Sequence, residues 1–299
     1  FRDICAATNY FSPANELRRT GFGVVHYKGT LENGKTISVK KFSDDVEDLN
    51  FVKELLLTAS FEHVNLLKIL GFAIKGKERL MMYEFLPHLS LDRFIFFSEG
   101  YYFTYYQPPS RRSPQLDWDT RYKIIKGIGR GLVHLHQRSR FGIIHCDIKP
   151  NAILLDSDMN PRIADFDIAR FSVNETGETL DKIVGTAGYM APEYVFHGQI
   201  SAKADVYAFG LLVLNIISGQ RTHSIMDILT SRSVSNSTLS SQVETSWLNA
   251  TMQHLIDPVL KSEPGSLEDM IRCIHIGLHC VQENAADRPT MTYVVTMLD

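Results

Sequence analysis

His145-Cys146-Asp147-Ile148-Lys149-Pro150-Asn151-Ala152-Ile153-Leu154-Leu155-Asp156, followed closely by Ala164-Asp165-Phe166-Asp167, is the stretch on which the reading of this chain turns. Acids, a lysine and an amide are set here among apolar residues. A carboxylate away from water is costly unless it is paired or bound to a metal. Asp147 and Asp165 in such surroundings therefore point to a site.

Working outward, the residues before this stretch read as strands. Val24 to Lys28 and Thr36 to Lys40 flank Leu31-Glu32-Asn33-Gly34-Lys35, and Asn-Gly between two such runs predicts a hairpin turn. A helix is expected next, with Phe51, Leu55, Leu56 and Ala59 at helical spacing and Asp44, Asp45, Glu47 and Asp48 near its start. Leu66 to Phe72 and Arg79 to Phe85 have strand length. From about Leu116 the texture changes to helical: Arg121, Ile125, Ile128, Leu132 and Leu135 trace one stripe. Ala204 to Ile217 is apolar nearly all round and reads as a buried helix ended by Gly219. Leu267 to Val281 and Met291 to Leu298 complete the helical part. Residues 97–115, with Tyr101-Tyr102-Phe103-Thr104-Tyr105-Tyr106 before Pro108-Pro109-Ser110-Arg111-Arg112-Ser113-Pro114, fit neither texture. They read as a loop insertion, or as a docking loop with a phosphorylatable Ser113.

Composition bounds the rest. A chain of 299 residues holds one large domain or two lobes. Hydrophobic content of 44% and charged content of 22% are those of a soluble globular protein with a core. A net charge of -3 argues against a nucleic-acid surface. Four scattered cysteines, Cys5, Cys146, Cys273 and Cys280, make no disulfide framework and suit a reducing compartment. The glycosylation triplets at Asn174, Asn236 and Asn249 read as chance. The apolar run from Tyr207 to Ile217 is interrupted by Asn215 and too short to span a bilayer, and no signal peptide opens the chain. Any membrane anchor is expected outside this sequence.

The chain resembles a protein kinase domain, specifically the plant receptor-like serine/threonine kinases of the cysteine-rich and S-domain type. The residues that carry this are Ala6-Ala7-Thr8-Asn9-Tyr10-Phe11-Ser12, Tyr83-Glu84-Phe85-Leu86-Pro87, Gly185-Thr186-Ala187-Gly188-Tyr189-Met190-Ala191-Pro192-Glu193 and Glu283-Asn284-Ala285-Ala286-Asp287-Arg288-Pro289-Thr290-Met291, together with the opening stretch. They stand in the family's order along essentially the whole chain. The resemblance implies an α+β, two-lobed kinase-like fold. Residues 1–14 would be a juxtamembrane-like lead-in, 15–86 a β-rich N-lobe and 87–299 a mainly helical C-lobe, with 165–193 as activation segment.

It also implies roles, with ATP and magnesium as cofactors and protein substrates or signalling partners. Lys40 matches the lysine that binds ATP phosphates, and Glu54 its ion-pair partner. Gly21, Gly23 and Val25 match the phosphate cover. Tyr83 would line the back of the adenine pocket, with Glu84 to Leu86 offering backbone hydrogen bonds. Asp147 matches the base that orients the substrate hydroxyl, Lys149 the residue that steadies the transferring phosphate, and Asp165 the magnesium ligand. Asp205 would hold the catalytic loop's backbone, and Glu193 with Arg288 a buried ion pair. Thr176, Thr179 and Thr186 are candidate phosphorylation sites. Residence at the cytoplasmic face of the plasma membrane follows from the same resemblance.

Four departures set the limits of that analogy. Arg18 and Thr20 stand where the phosphate-covering loop has glycine, and one extra residue falls among Val24, Val25, His26 and Tyr27. Cys146 replaces the arginine before the catalytic Asp, which in the family marks independence from activation-loop phosphorylation. Counting from Asp147 puts Ala152 where a metal-binding Asn belongs; Asn151 is one place early, and a slip would turn Ile153-Leu154-Leu155 the wrong way. Asp167 replaces a glycine, and either strains the loop or lends magnesium a substitute ligand.

Two classes of function stand near even on these residues. One is an enzyme transferring the ATP γ-phosphate to protein hydroxyls. The other is a pseudokinase scaffold that signals through its surface. A decaying gene copy, marked by the insertion and the scattered losses, is a third. A zinc site from Cys273, His275, His279 and Cys280 is disfavoured because one helix presents two ligands well, not four. No G-x-x-x-x-G-K-[ST] pattern occurs.

Overall fold

In a computed structural model of the chain, the described residues are 1–20, 23–43, 48–87, 90–96, 116–138, 142–172, 178–233, 252–262 and 266–299. The expected hairpin forms between β2 (Val25–Thr30) and β3 (Thr36–Lys41), with Gly34 in the left-handed region at φ 79°. It joins β1 (Glu16–Arg19), β4 (Ile69–Lys75) and β5 (Glu78–Glu84) in one antiparallel sheet ordered β1-β2-β3-β5-β4. Alternation decides what each face buries. Ile37, Val39 and Leu80 pack outward under Ile4 of α1 (Arg2–Ala7). Met81 and Tyr83 face inward with Phe42, Phe51 and Leu86.

The helix expected after β3 is α2 (Asp48–Thr58). Its stripe differs from the one read off the sequence. Phe51, Glu54 and Thr58, at i, i+3 and i+7, are the buried face, whereas Leu56 is 61% exposed. A charged residue outranks a leucine here because Glu54 finds a cation inside. The strand expected from Leu66 begins only at Ile69, because Leu66 and Leu67 are fastened elsewhere. The Leu67 N–H donates to the Ile163 carbonyl at 2.9 Å, and the Ile163 N–H to that of Asn65 at 2.8 Å. These bonds tie the sheet region to the helical one.

The helical region contains α3 (Trp118–Val133), α4 (Ala202–Ser218), α5 (Leu267–Cys280) and α6 (Met291–Leu298) around one large core. Asp117 and Ser201 cap α3 and α4, each accepting a backbone N–H with its side chain, and Gly219 ends α4 at φ 66°. α4 crosses α5 at Gly210, where an added Cβ would sit 2.7 Å from the Gly277 carbonyl. Arg121, the polar first member of the α3 stripe, is buried but fully used. It donates to the Leu116 and Ile216 carbonyls at 3.0 and 2.7 Å and pairs with Asp257 at 2.8 Å. Between α3 and α4 lie β6 (Ile143–Ile144), β7 (Ile153–Leu155), β8 (Pro161–Ile163) and β9 (Arg170–Phe171), in pairs β6 with β9 and β7 with β8. They carry the opening stretch to the mouth of the cleft between the regions.

The insertion at 97–115, Gly21 and Thr176 lie outside the described residues, as do the three asparagines of the glycosylation triplets. Among the described residues no helix is long and apolar enough to cross a membrane.

Candidate active site

Three elements meet at Lys40. β3 presents it, α2 presents Glu54 and β5 presents Tyr83. Lys40 Nζ lies 2.6 Å from each Glu54 oxygen, and the Tyr83 hydroxyl donates to Glu54 Oε1 at 2.9 Å. Asp167 adds its Oδ1 at 2.7 Å from Lys40 Nζ. Burial opposes the Lys40 charge, but Asp167 and Glu54 outweigh it and raise its pKa. Burial lifts the Glu54 carboxyl, with Lys40 opposing. Burial and then the Glu54 charge push Tyr83 well above the usual phenol range, so it remains a donor.

The loop between β6 and β7 is held from below. Asp205, near the start of α4, accepts the His145 N–H at 2.8 Å and the Cys146 N–H at 2.9 Å, with His136 Nε2 at 2.9 Å. Burial works against the Asp205 charge, yet His136 and His145 hold its pKa below the usual range. These bonds support Cys146 at φ 69°, a left-handed backbone that non-glycine residues seldom adopt. His145 Nε2 contacts the Ala164 carbonyl at 2.8 Å, joining the two halves of the opening stretch. Phe166 packs between Phe61 and His145, with ring centroids 4.7 and 4.8 Å away.

Asp147, Lys149 and Thr186 form a closed triangle. Lys149 Nζ lies 2.6 Å from Asp147 Oδ2 and 2.6 Å from Thr186 Oγ1, and the Thr186 hydroxyl donates to Asp147 Oδ1 at 2.6 Å. The candidate base thus already accepts a hydrogen bond from a hydroxyl. Farther out, Arg288 donates to both Glu193 oxygens at 2.7 Å, with no exposed side-chain surface on the arginine.

At the other end the side chains are differently committed. Arg18 on β1 grips Asp165: Nη1 donates to Oδ2 at 2.7 Å and Nη2 to Oδ1. Burial would raise the Asp165 pKa, but Arg18 holds it well below the usual carboxylate range. Asp165 itself sits at φ 65°. Asp167 lies outside the left-handed region and is held by Lys40, so neither loop strain at this position nor a free ligand describes it. Ala152 is fully buried, and the Asn151 side chain is exposed. A magnesium ion does not fit these residues as they stand: Asp165 has both oxygens engaged, Ala152 offers a methyl group, and Asp167 is paired.

Gly23 retains a glycine's duty, at φ 71° with Ser43 Oγ 2.8 Å from where a Cβ would stand. Thr20 donates its N–H to the Val24 carbonyl at 2.9 Å. Val25, expected in the phosphate cover, pairs with Lys41, and strand partners share a face. It therefore points away from Lys40. His26 pairs with Lys40 and takes the cleft side. The hairpin centred on Asn33 fixes that register, so the signal was in the sequence. The extra residue sought in β2 is met by a register shift in β1, between Glu16 and Arg18. His26 is 6% exposed, and its Nε2 has no hydrogen-bond partner among the described residues. Burial and then Arg18 push its pKa well down, so it is neutral. With Arg18, Glu84, Leu86 and Leu154 it lines a cavity of about 40 Å³, while the Glu84 N–H is already donated to Lys68. That is room for about three waters, far from the roughly 300–1,000 Å³ of a ligand pocket.

The cysteine alternatives close. Among the described residues no three His, Cys, Asp or Glu side chains are grouped to hold a metal. Burial pushes the Cys273 and Cys280 thiols up to about 12 and the Cys146 thiol well above its ordinary value, the reverse of a reactive thiolate.

The family model of the protein kinase domain matches residues 14–297. The chain belongs to the protein kinase family. Among the Arabidopsis thaliana proteins it is similar to are cysteine-rich receptor-like protein kinase 24, at 48% identity over all of this chain and 44% of that protein; kinase 18, at 46% over 99% and 43%; and kinase 8, at 45% over all of it and 42%. The chain thus spans about two-fifths of the length of the curated relatives it matches. The fold is that of a protein kinase domain, with its β-sheet region first and its helical region after. Members of the family act on ATP, generally with a divalent metal.

Proposed function

We propose that this chain is the kinase domain of a receptor-like signalling protein that works chiefly as a scaffold, with phosphoryl transfer weak or absent. The observation that carries this is the state of the metal end: both Asp165 oxygens are bound by Arg18, and Ala152 supplies no ligand atom. Phosphoryl transfer depends on positioning and on cations that neutralise the developing charge. Here those cations are spent on the chain's own acids. Division into an N-lobe over 15–86 and a C-lobe over 87–299 goes with this reading, as does placement at the cytoplasmic side of a plasma membrane, since the relatives are named receptor-like. Thr179 is exposed and so the better phosphorylation candidate; Thr186 has its hydroxyl engaged twice.

A second reading has its own support. The Asp147–Lys149–Thr186 triangle is arranged as serine/threonine transfer from ATP requires, with Asp147 placed to take a hydroxyl proton and Lys149 beside it. Magnesium-dependent transfer of the γ-phosphate separates the two. The proposal expects little or no transfer by the unmodified chain and a gain only when Arg18→Gly is combined with Ala152→Asn and Asp167→Gly. Robust transfer by the unmodified chain, abolished in Asp147→Ala, would overturn it in favour of the enzyme.

A further inference from the structure

Arg18 leaves a strand of the sheet region and grips Asp165, which belongs to the helical region, with both ends of its guanidinium. One nitrogen also reaches the Asn151 carbonyl at 3.4 Å. The Asp165 side chain is 9% exposed and that of Arg18 24%. A two-pronged charge-assisted pair shielded from water is among the stronger polar contacts, and the guanidinium fork suits a carboxylate as a lysine would not. A metal ion seeking Asp165 meets a carboxylate already neutralised by a guanidinium on both oxygens.

The rest of the cleft is balanced the same way. Three cations are placed to meet phosphate, and each is held by acids of this chain. Arg18 is held by Asp165, Lys40 by Glu54 and Asp167, and Lys149 by Asp147. At the Asp165 end two positive charges, Arg18 and Lys40, face three negative ones, Asp165, Glu54 and Asp167, so an arriving polyphosphate meets a surplus of negative charge there. The two substitutions are complementary: one adds the positive charge at residue 18, the other the negative charge at residue 167.

We infer that Arg18 is an intramolecular stand-in for the divalent cation, which closes the cleft without ligand and keeps metal-bound nucleotide out. This rests on the scaffold reading and names the residue that enforces it. Arg18 is thereby a positioning residue: it holds Asp165 and the two regions together rather than acting on a substrate.

The test is titration of the purified chain with a fluorescent ATP analogue, with magnesium and with chelator. The unmodified chain is expected to show no saturable binding in either condition. Arg18→Gly frees Asp165 and returns the glycine that lets backbone approach phosphate. It is expected to gain magnesium-dependent affinity of at least about tenfold, the size of one charged hydrogen bond. Should the glycine variant fold poorly, Arg18→Lys decides. It keeps the charge but loses the fork, and is expected to bind more tightly than the unmodified chain in magnesium. A folded variant binding no better than the unmodified chain overturns the inference, as does a gain that chelator leaves untouched. Magnesium-dependent binding by the unmodified chain, without phosphate transfer, overturns the inference but leaves the scaffold reading intact. Transfer by the unmodified chain overturns the scaffold reading itself.

Discussion

At the Asp147 end of the cleft an acid and a lysine share a hydroxyl, whereas at the Asp165 end an acid is gripped by an arginine of the same chain. Both ends use short ion pairs, and Asp205 holds from beneath the loop that carries the first. The difference lies in what the pairs leave over. Asp147 and Lys149 share a threonine hydroxyl, a contact that a substrate hydroxyl can replace without stranding a charge. Asp165 and Arg18 satisfy each other, and separating them leaves two partly buried ions. One end is therefore poised for exchange and the other is closed. An intact catalytic loop says little about turnover when the partner half of the site is internally neutralised.

Substitutions rank this contrast by size. The largest loss is expected from a pair that belongs to neither end. Glu193→Ala strands the buried Arg288 and should cost about 3–5 kcal/mol in denaturant unfolding; a loss under about 1 kcal/mol would mean that Arg288 is served by its carbonyl contacts alone. Asp167→Gly is expected to cost at most about 1 kcal/mol, since Lys40 keeps Glu54 and the repulsion between the two acids is relieved. A loss several times larger would show that Asp167 is a structural member of the Lys40 cluster rather than a dispensable addition. Thr186→Val, at the exchangeable end, should lower stability by about 0.5–1.5 kcal/mol, one or two net hydrogen bonds. Stability unchanged in that variant would mean that the triangle is not formed in solution.

Much of this was legible before any coordinates. The Asn33-Gly34 turn and the apolar run ended by Gly219 are local signals, and local geometry obeys them. What escaped depends on partners distant in sequence. Hydrophobic spacing alone puts Leu56 on the buried stripe, but Lys40 draws Glu54 inward and leaves Leu56 exposed. Arg18 was legible as extra charge, but its partner lies 147 residues away, and no spacing rule names it. The motif places Val25 in the phosphate cover, whereas the hairpin register assigns the cleft face to His26. Pattern gives the elements; pairing across the cleft decides the chemistry.

The central claim is that the chain's own charges occupy the place of metal and nucleotide. Calorimetric titration of ATP with magnesium into the unmodified chain tests it most directly. The account predicts no saturable heat. A single saturable site, lost when magnesium is removed, would contradict it.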